Sequence, residues 1–146
     1  METLKNTGLI SCLLLMTCLM SCSSSSESQI AGKYASQSEN NYDHFKDTIE
    51  VRPTDDGKFD IQALSNWSAA KKDDPERPSK NKKAGFWINY GPGRINVATF
   101  QKSDHTLRIE EPMSSSVRIM KVDLEKRTIK WPTKYGDTII YHKIKL

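Results

Sequence analysis

Cysteine is nearly absent from this chain: Cys12, Cys18 and Cys22 are the three present, and none follows them. Residues beyond Cys22 are therefore held without a disulfide framework and offer no cysteine metal ligand. Histidine is as sparse, with His44, His105 and His142. None lies in an HExxH, and no His or carboxylate cluster has metal-ligand spacing. Long apolar runs are lacking after the first 21 residues, where nothing approaches the ~20 residues that span a bilayer as a helix. This excludes a polytopic helical membrane protein, and the lack of a sustained heptad excludes a long coiled coil. No G-x-S-x-G elbow, P-loop or dinucleotide fingerprint occurs. Gly91-Pro92-Gly93 reads as a turn, because no helix pattern follows it. The expectation is a non-enzymatic protein with no catalytic residues, no cofactor and no metal. A chain of 146 residues, 36% of them hydrophobic, has room for one domain with one small core.

What is present begins with an address. Lys5 gives a positive start, and the apolar run from Gly8 to Met20 has the length of a signal-peptide core. It ends at Leu19-Met20-Ser21-Cys22, which resembles the bacterial lipobox. The resemblance implies that residues 1–21 are a lipoprotein signal peptide and that the Cys22 thiol carries diacylglycerol. Leu9-Ile10-Ser11-Cys12 fits less well because little apolar sequence precedes it, and Leu15-Met16-Thr17-Cys18 because Thr17 is branched. Each buried CH₂ contributes roughly 0.8 kcal/mol, so two or three acyl chains at Cys22 make a stable anchor where one would not. The Ser-rich stretch that follows, within residues 22–30, reads as a polar tether. Ser23, where retained lipoproteins carry Asp, resembles the class sorted to the outer membrane. The domain would face either the periplasm or the exterior.

From residue 31 onward the pattern is that of strands. Nine short runs rich in β-branched and aromatic residues are expected at 32–36, 47–52, 59–64, 86–90, 94–100, 106–110, 117–124, 128–131 and 138–144. Asp55-Asp56-Gly57-Lys58 is a hairpin signal. Residues 36–46 have room for one helical turn at most. The fold expected for 31–146 is all-β: an antiparallel eight- or nine-stranded meander closing as a barrel or sandwich.

One segment breaks the pattern. Residues 69–83 read AAKKDDPERPSKNKK, with six basic residues, three acidic residues and two prolines. So little apolar surface predicts a solvated, mobile loop. Its Lys71, Lys72, Arg77, Lys80, Lys82 and Lys83 are candidate contacts for an acidic partner. The interleaved acids argue against nucleic acid.

Trp67, Trp87 and Trp131 are either core packing or aromatics that rim a barrel and hold a small apolar ligand. Alternation places His142 on the face of Ile140 and Ile144, where a partly buried structural role is expected. Asp47-Thr48-Ile49 and Asp137-Thr138-Ile139 resemble the acceptor of one bacterial O-glycosylation system, at Thr48 and Thr138.

Lipobox, Ser-rich tether, Gly32-Lys33-Tyr34 on the first strand, Asp47-Thr48-Ile49-Glu50-Val51 and the closing Thr138-Ile139-Ile140-Tyr141-His142-Lys143-Ile144 occur in that order. Together they resemble small bacterial lipoproteins with a lipocalin-like β domain. Gly32-x-Tyr34 stands where lipocalins carry Gly-x-Trp. The resemblance implies a lipid-anchored envelope protein that binds a protein partner or a small apolar ligand. The alternative is an inhibitor or assembly accessory of an envelope enzyme or of a secretion or conjugation machine.

Overall fold

The computed structural model describes residues 26–145 except 79, 112, 134 and 135. Cys22, the signal peptide expected over 1–21 and the part of the expected tether before Ser26 lie outside the described residues. The order of elements is α1 (Ser26–Ile30), β1 (Gly32–Glu39), β2 (Asp43–Pro53), β3 (Phe59–Ala70), β4 (Ile88–Asn89), β5 (Ile95–Gln101), β6 (Thr106–Glu110), β7 (Val117–Asp123), β8 (Thr128–Pro132) and β9 (Thr138–Lys143).

Each of β1, β2, β3, β5, β6, β7, β8 and β9 pairs antiparallel with the next, and β9 returns to β1. The result is an up-and-down barrel of eight strands. Closure pairs each barrel strand on both sides over at least part of its length, where a one-layer sheet would leave two edges fully exposed. The ninth strand, β4, is a two-residue addition to the far tip of β3. The run expected over 86–90 is thus mostly loop. The adjoining edge of β3 is taken by β5, from Phe59–Ala98 to Gln62–Ile95.

The helical turn conceivable in 36–46 does not form. Both flanks continue as strands, and Asn40 Oδ1 accepts from the backbone amides of Tyr42 and Asp43 at 2.8 and 2.7 Å. This is the local bonding by which Asn favours turns over helices.

Period-2 alternation sends one set of side chains inward. At the end where α1 sits, the interior is apolar and filled: Tyr34, Ile49, Val51, Phe59, Ile61, Leu107, Met120 and Ile129 are all buried. Ile30, at the end of α1, is fully buried among them. Tyr34 donates its hydroxyl to the Ile30 carbonyl at 2.6 Å, and Lys143 donates Nζ to the Gln29 carbonyl at 2.6 Å. Residues 26–30, read from sequence as tether, therefore form a plug docked on the barrel.

Toward the other end the inward positions become polar. Parity with Tyr34 places Ser36 and Ser38 inside, parity with Ile49 places Asp47 inside, and parity with Met120 places Arg118 inside. A bulge opposite Thr48 and Ile49 restores the phase of β3, so that Ser68 and Ala70 face inward beyond it. The interior is thus an apolar plug at the α1 end and a polar funnel at the other.

Candidate functional site

The funnel end is built from the tips of the strands and four connections: 40–42, 71–94, 111–116 and 133–137. An open depression of about 780 Å³ lies at this end, lined among others by Trp131, Arg118, Glu111, Ser116 and Ile119. Trp131 stands on β8 beside Tyr141 of β9, with ring centroids 6.1 Å apart. The Arg118 guanidinium lies 5.7 Å from the Trp131 ring centroid, within cation–π range. Arg118 also donates to Glu111 Oε1, while Arg94 donates to Glu111 Oε2 at 3.1 Å. One carboxylate thus faces two guanidinium groups, which leaves a net positive field beside an indole. Such a site suits a ligand with an apolar body and an acidic group.

Deeper in the funnel, Ser36 and Asp47 oppose each other on β1 and β2. Burial raises the Asp47 carboxyl to about 6. Burial, with Asp47 nearby, pushes the Tyr141 hydroxyl up to about 12, and Ser36 opposes the rise. Neither Asp47 Oδ1 nor Ser36 Oγ makes a hydrogen bond of good geometry among the described residues. The Ser36 hydroxyl faces that of Tyr141, whereas buried polar atoms are nearly always partnered, so Asp47 Oδ1 marks a place where a donor is missing.

The charged segment is placed differently from its sequence reading. Ala69 and Ala70 belong to β3 and are buried. Arg77, expected in solvent, is 3% exposed and pairs with Asp43. Lys82 is also covered, donating to Asp43 Oδ2 at 2.8 Å and to the Ser68 hydroxyl at 2.6 Å. Phe45 and Tyr90 lie beneath its ammonium. Burial alone would raise the Asp43 carboxyl, but Lys82 and Arg77 together hold it below the usual carboxylate range. The solvated-loop expectation is corrected at these two residues: Asp43, hidden in β2, supplies a buried anion that sequence composition cannot reveal. The loop is also fixed by Asp73, which accepts from the Ala84 amide at 2.9 Å, and by a bridge from Ala70 to Ala84. Lys72, Lys80 and Lys83 remain exposed, and Lys71 pairs with Glu39.

Of the aromatic candidates, only Trp131 borders the funnel depression. Register and parity put Trp67 on the outer face of the β2–β3 extension, opposite Lys46. Trp87 lies over the same outer face, with Lys46 Nζ 4.5 Å from its ring centroid. Thr48 is half-buried in β2 and Thr138 is exposed at the start of β9.

His142 does share a face with Ile140 and Ile144, but that face is the outer one and His142 is exposed. The buried parity of β9 is that of Ile139 and Tyr141. His44 pairs with Glu39 at the funnel end, and His105 stacks on Phe100 in a turn at the α1 end. Among the described residues, no three His, Cys, Asp or Glu side chains group closely enough to hold a metal ion.

Comparison of the chain with family models, with curated proteins and with solved structures gives no match.

Proposed function

We propose that this chain is a lipid-anchored binding module of a bacterial envelope, fixed to the outer membrane through Cys22. It takes at its funnel mouth a small ligand with an apolar body and an acidic group. The observation that carries this reading is polarity along the barrel axis. The chain enters through α1 at the apolar end, while Trp131, Arg118 and Glu111 gather at the opposite end. A barrel hung from Cys22 by a short Ser-rich tether would then turn its mouth away from the bilayer. The module is read as non-catalytic. Supporting this, His44 and His105 stand at opposite ends and share no site.

Two measurements test the reading. Labelled palmitate should enter the native chain and not Cys22→Ser; label retained in that variant removes the anchor. The fluorescent probe anilinonaphthalene sulfonate, an apolar ring system with one acidic group, should bind the mouth. Trp131→Ala and Arg118→Gln should each weaken it about tenfold, a loss of about 1.4 kcal/mol. Unchanged binding in both variants removes the mouth.

A second reading, an inhibitor or assembly accessory, draws on the pinned loop. Phe86 is 69% exposed on a segment held by the Asp43 cluster, as a loop that fills a partner's cleft would need. Phe86→Ala should then abolish the effect on the partner while leaving probe binding at the mouth intact.

A further inference from the structure

The barrel wall is incomplete between β1 and β9. The two strands pair at Tyr34–Lys143 and Ala35–His142, and the Ile144 amide donates to the Lys33 carbonyl at 2.9 Å. Beyond Ala35 and His142 the pairing stops, although both strands continue, β1 to Glu39 and β9 to Thr138. Backbone polarity at this seam follows from the bonds on either side. Asn40 bonds to β2 and Lys33 to β9, so even-numbered residues of β1 face β2 and odd-numbered ones face the seam. On β9, the Lys143 amide donates to the Arg127 carbonyl and Ile144 to β1, so even-numbered residues face the seam. Gln37 and Glu39 on one side, and Thr138 and Ile140 on the other, thus present amides and carbonyls to a gap.

That gap is a depression of about 580 Å³. Gln37, Ile140 and His142 line it from the outer face, and Ser36, Ser38 and Ile139 from the inner one. Behind it stand Ser36, 4% exposed and facing the Tyr141 hydroxyl, and Asp47, whose Oδ1 lacks a partner.

We propose that this seam is a strand-accepting slot, occupied by an extended polypeptide segment of a partner protein. Two facing rows of free backbone groups are what an added strand satisfies. Alternation would turn every second side chain of that segment inward. An inward lysine flanked by apolar residues would give Asp47 its missing donor and rest its neighbours on Ile139. The slot goes beyond the mouth reading and depends on neither Cys22 nor Trp131.

The test uses the full-length chain in detergent micelles, followed by amide hydrogen exchange. The probe is the capped peptide Thr-Val-Thr-Lys-Thr-Val-Thr. It should slow exchange within 37–39 and 138–140. The same peptide N-methylated at every second residue should bind at least tenfold more weakly. A peptide with glutamate in place of the lysine should bind about tenfold more weakly to the native chain, and Asp47→Asn should erase that difference. Absence of binding by the lysine peptide overturns the slot, as does equal binding by the N-methylated one. A lysine preference that survives in Asp47→Asn overturns the role given to Asp47. Amides at 37–39 already protected in the free monomer mean a closed seam. Protection that appears only with self-association makes a second copy the occupant and overturns the partner-protein assignment. Palmitate labelling and probe binding at the mouth stand or fall separately from all of these.

Discussion

Asp43 and Arg77 lie 34 residues apart in the chain and meet as a buried ion pair that ties the charged loop to the barrel. Lys82 shares the same carboxylate, so two cations depend on one anion. The arrangement is asymmetric, because Arg77 Nε and Nη1 are buried without partners. Asp43→Ala would leave two buried cations uncompensated and should destabilise the fold by about 3–5 kcal/mol. Arg77→Met keeps the Lys82–Asp43 pair and removes two unsatisfied nitrogens, so it should change stability by no more than about 1 kcal/mol. Urea unfolding of the two variants checks this, and equal losses would contradict the asymmetry.

Asp47 makes a prediction about pH. Its folded-state carboxyl titrates at about 6, above the ordinary value of 3.8, because burial disfavours its charge. The folded state therefore holds the proton more tightly than the unfolded state does. Stability from this group is present below about 4 and is lost as pH rises through about 6. The group is only partly buried, so solvent screening reduces the loss to roughly 1 kcal/mol. Asp47→Asn should thus stabilise the chain by that amount at pH 8 and change little at pH 4. An identical effect at both pH values, measured by urea unfolding, would show that Asp47 titrates as an exposed carboxyl.

The barrel was legible because alternation and turn chemistry agree along most of the chain. Phe59-Asp60-Ile61 and Thr106-Leu107-Arg108-Ile109 each declare their inner face by period 2. The funnel was legible in part. Asp47 shares parity with Ile49 and Val51, Ser36 with Tyr34, and Arg118 with Met120 and Val122. A polar residue at an apolar parity is the signal that could have found them. The Asp43 cluster left no such trace. Arg77 and Lys82 sit in a run of charges, and what buries them is a carboxylate distant in sequence. Nor could composition reveal the seam, since it depends on how two strands diverge in space and not on residue type.

Gly32 tests how the first strand joins the plug. Its φ of +138° is reached readily by glycine alone. A Cβ there would also lie 2.8 Å from Lys143 Cε. The lysine end is flexible and can give way, but the backbone strain cannot. Gly32→Ala should therefore destabilise by about 1–3 kcal/mol. Adding Lys143→Ala, which removes Cε and so frees the space, should recover less than half of that loss. Full recovery in thermal unfolding would assign the cost to the contact and not to φ.

The docking of α1 decides whether the apolar end of the barrel is rigid. Ile30 is fully buried, and the helix that carries it is only five residues long. So short a helix is not stable by itself, so packing of Ile30 must hold it. Ile30→Ala should destabilise by about 2–4 kcal/mol, the range for truncating a buried branched side chain that leaves a cavity. Met113 provides the contrast: it is 98% exposed, and Met113→Ala should change stability by less than about 0.5 kcal/mol. Amide exchange should separate two forms of loss at Ile30. If the plug is part of the cooperative unit, Ile30→Ala lowers protection throughout β1 and β9. If α1 detaches alone, only the amides near 26–34 lose protection and the global unfolding midpoint stays fixed.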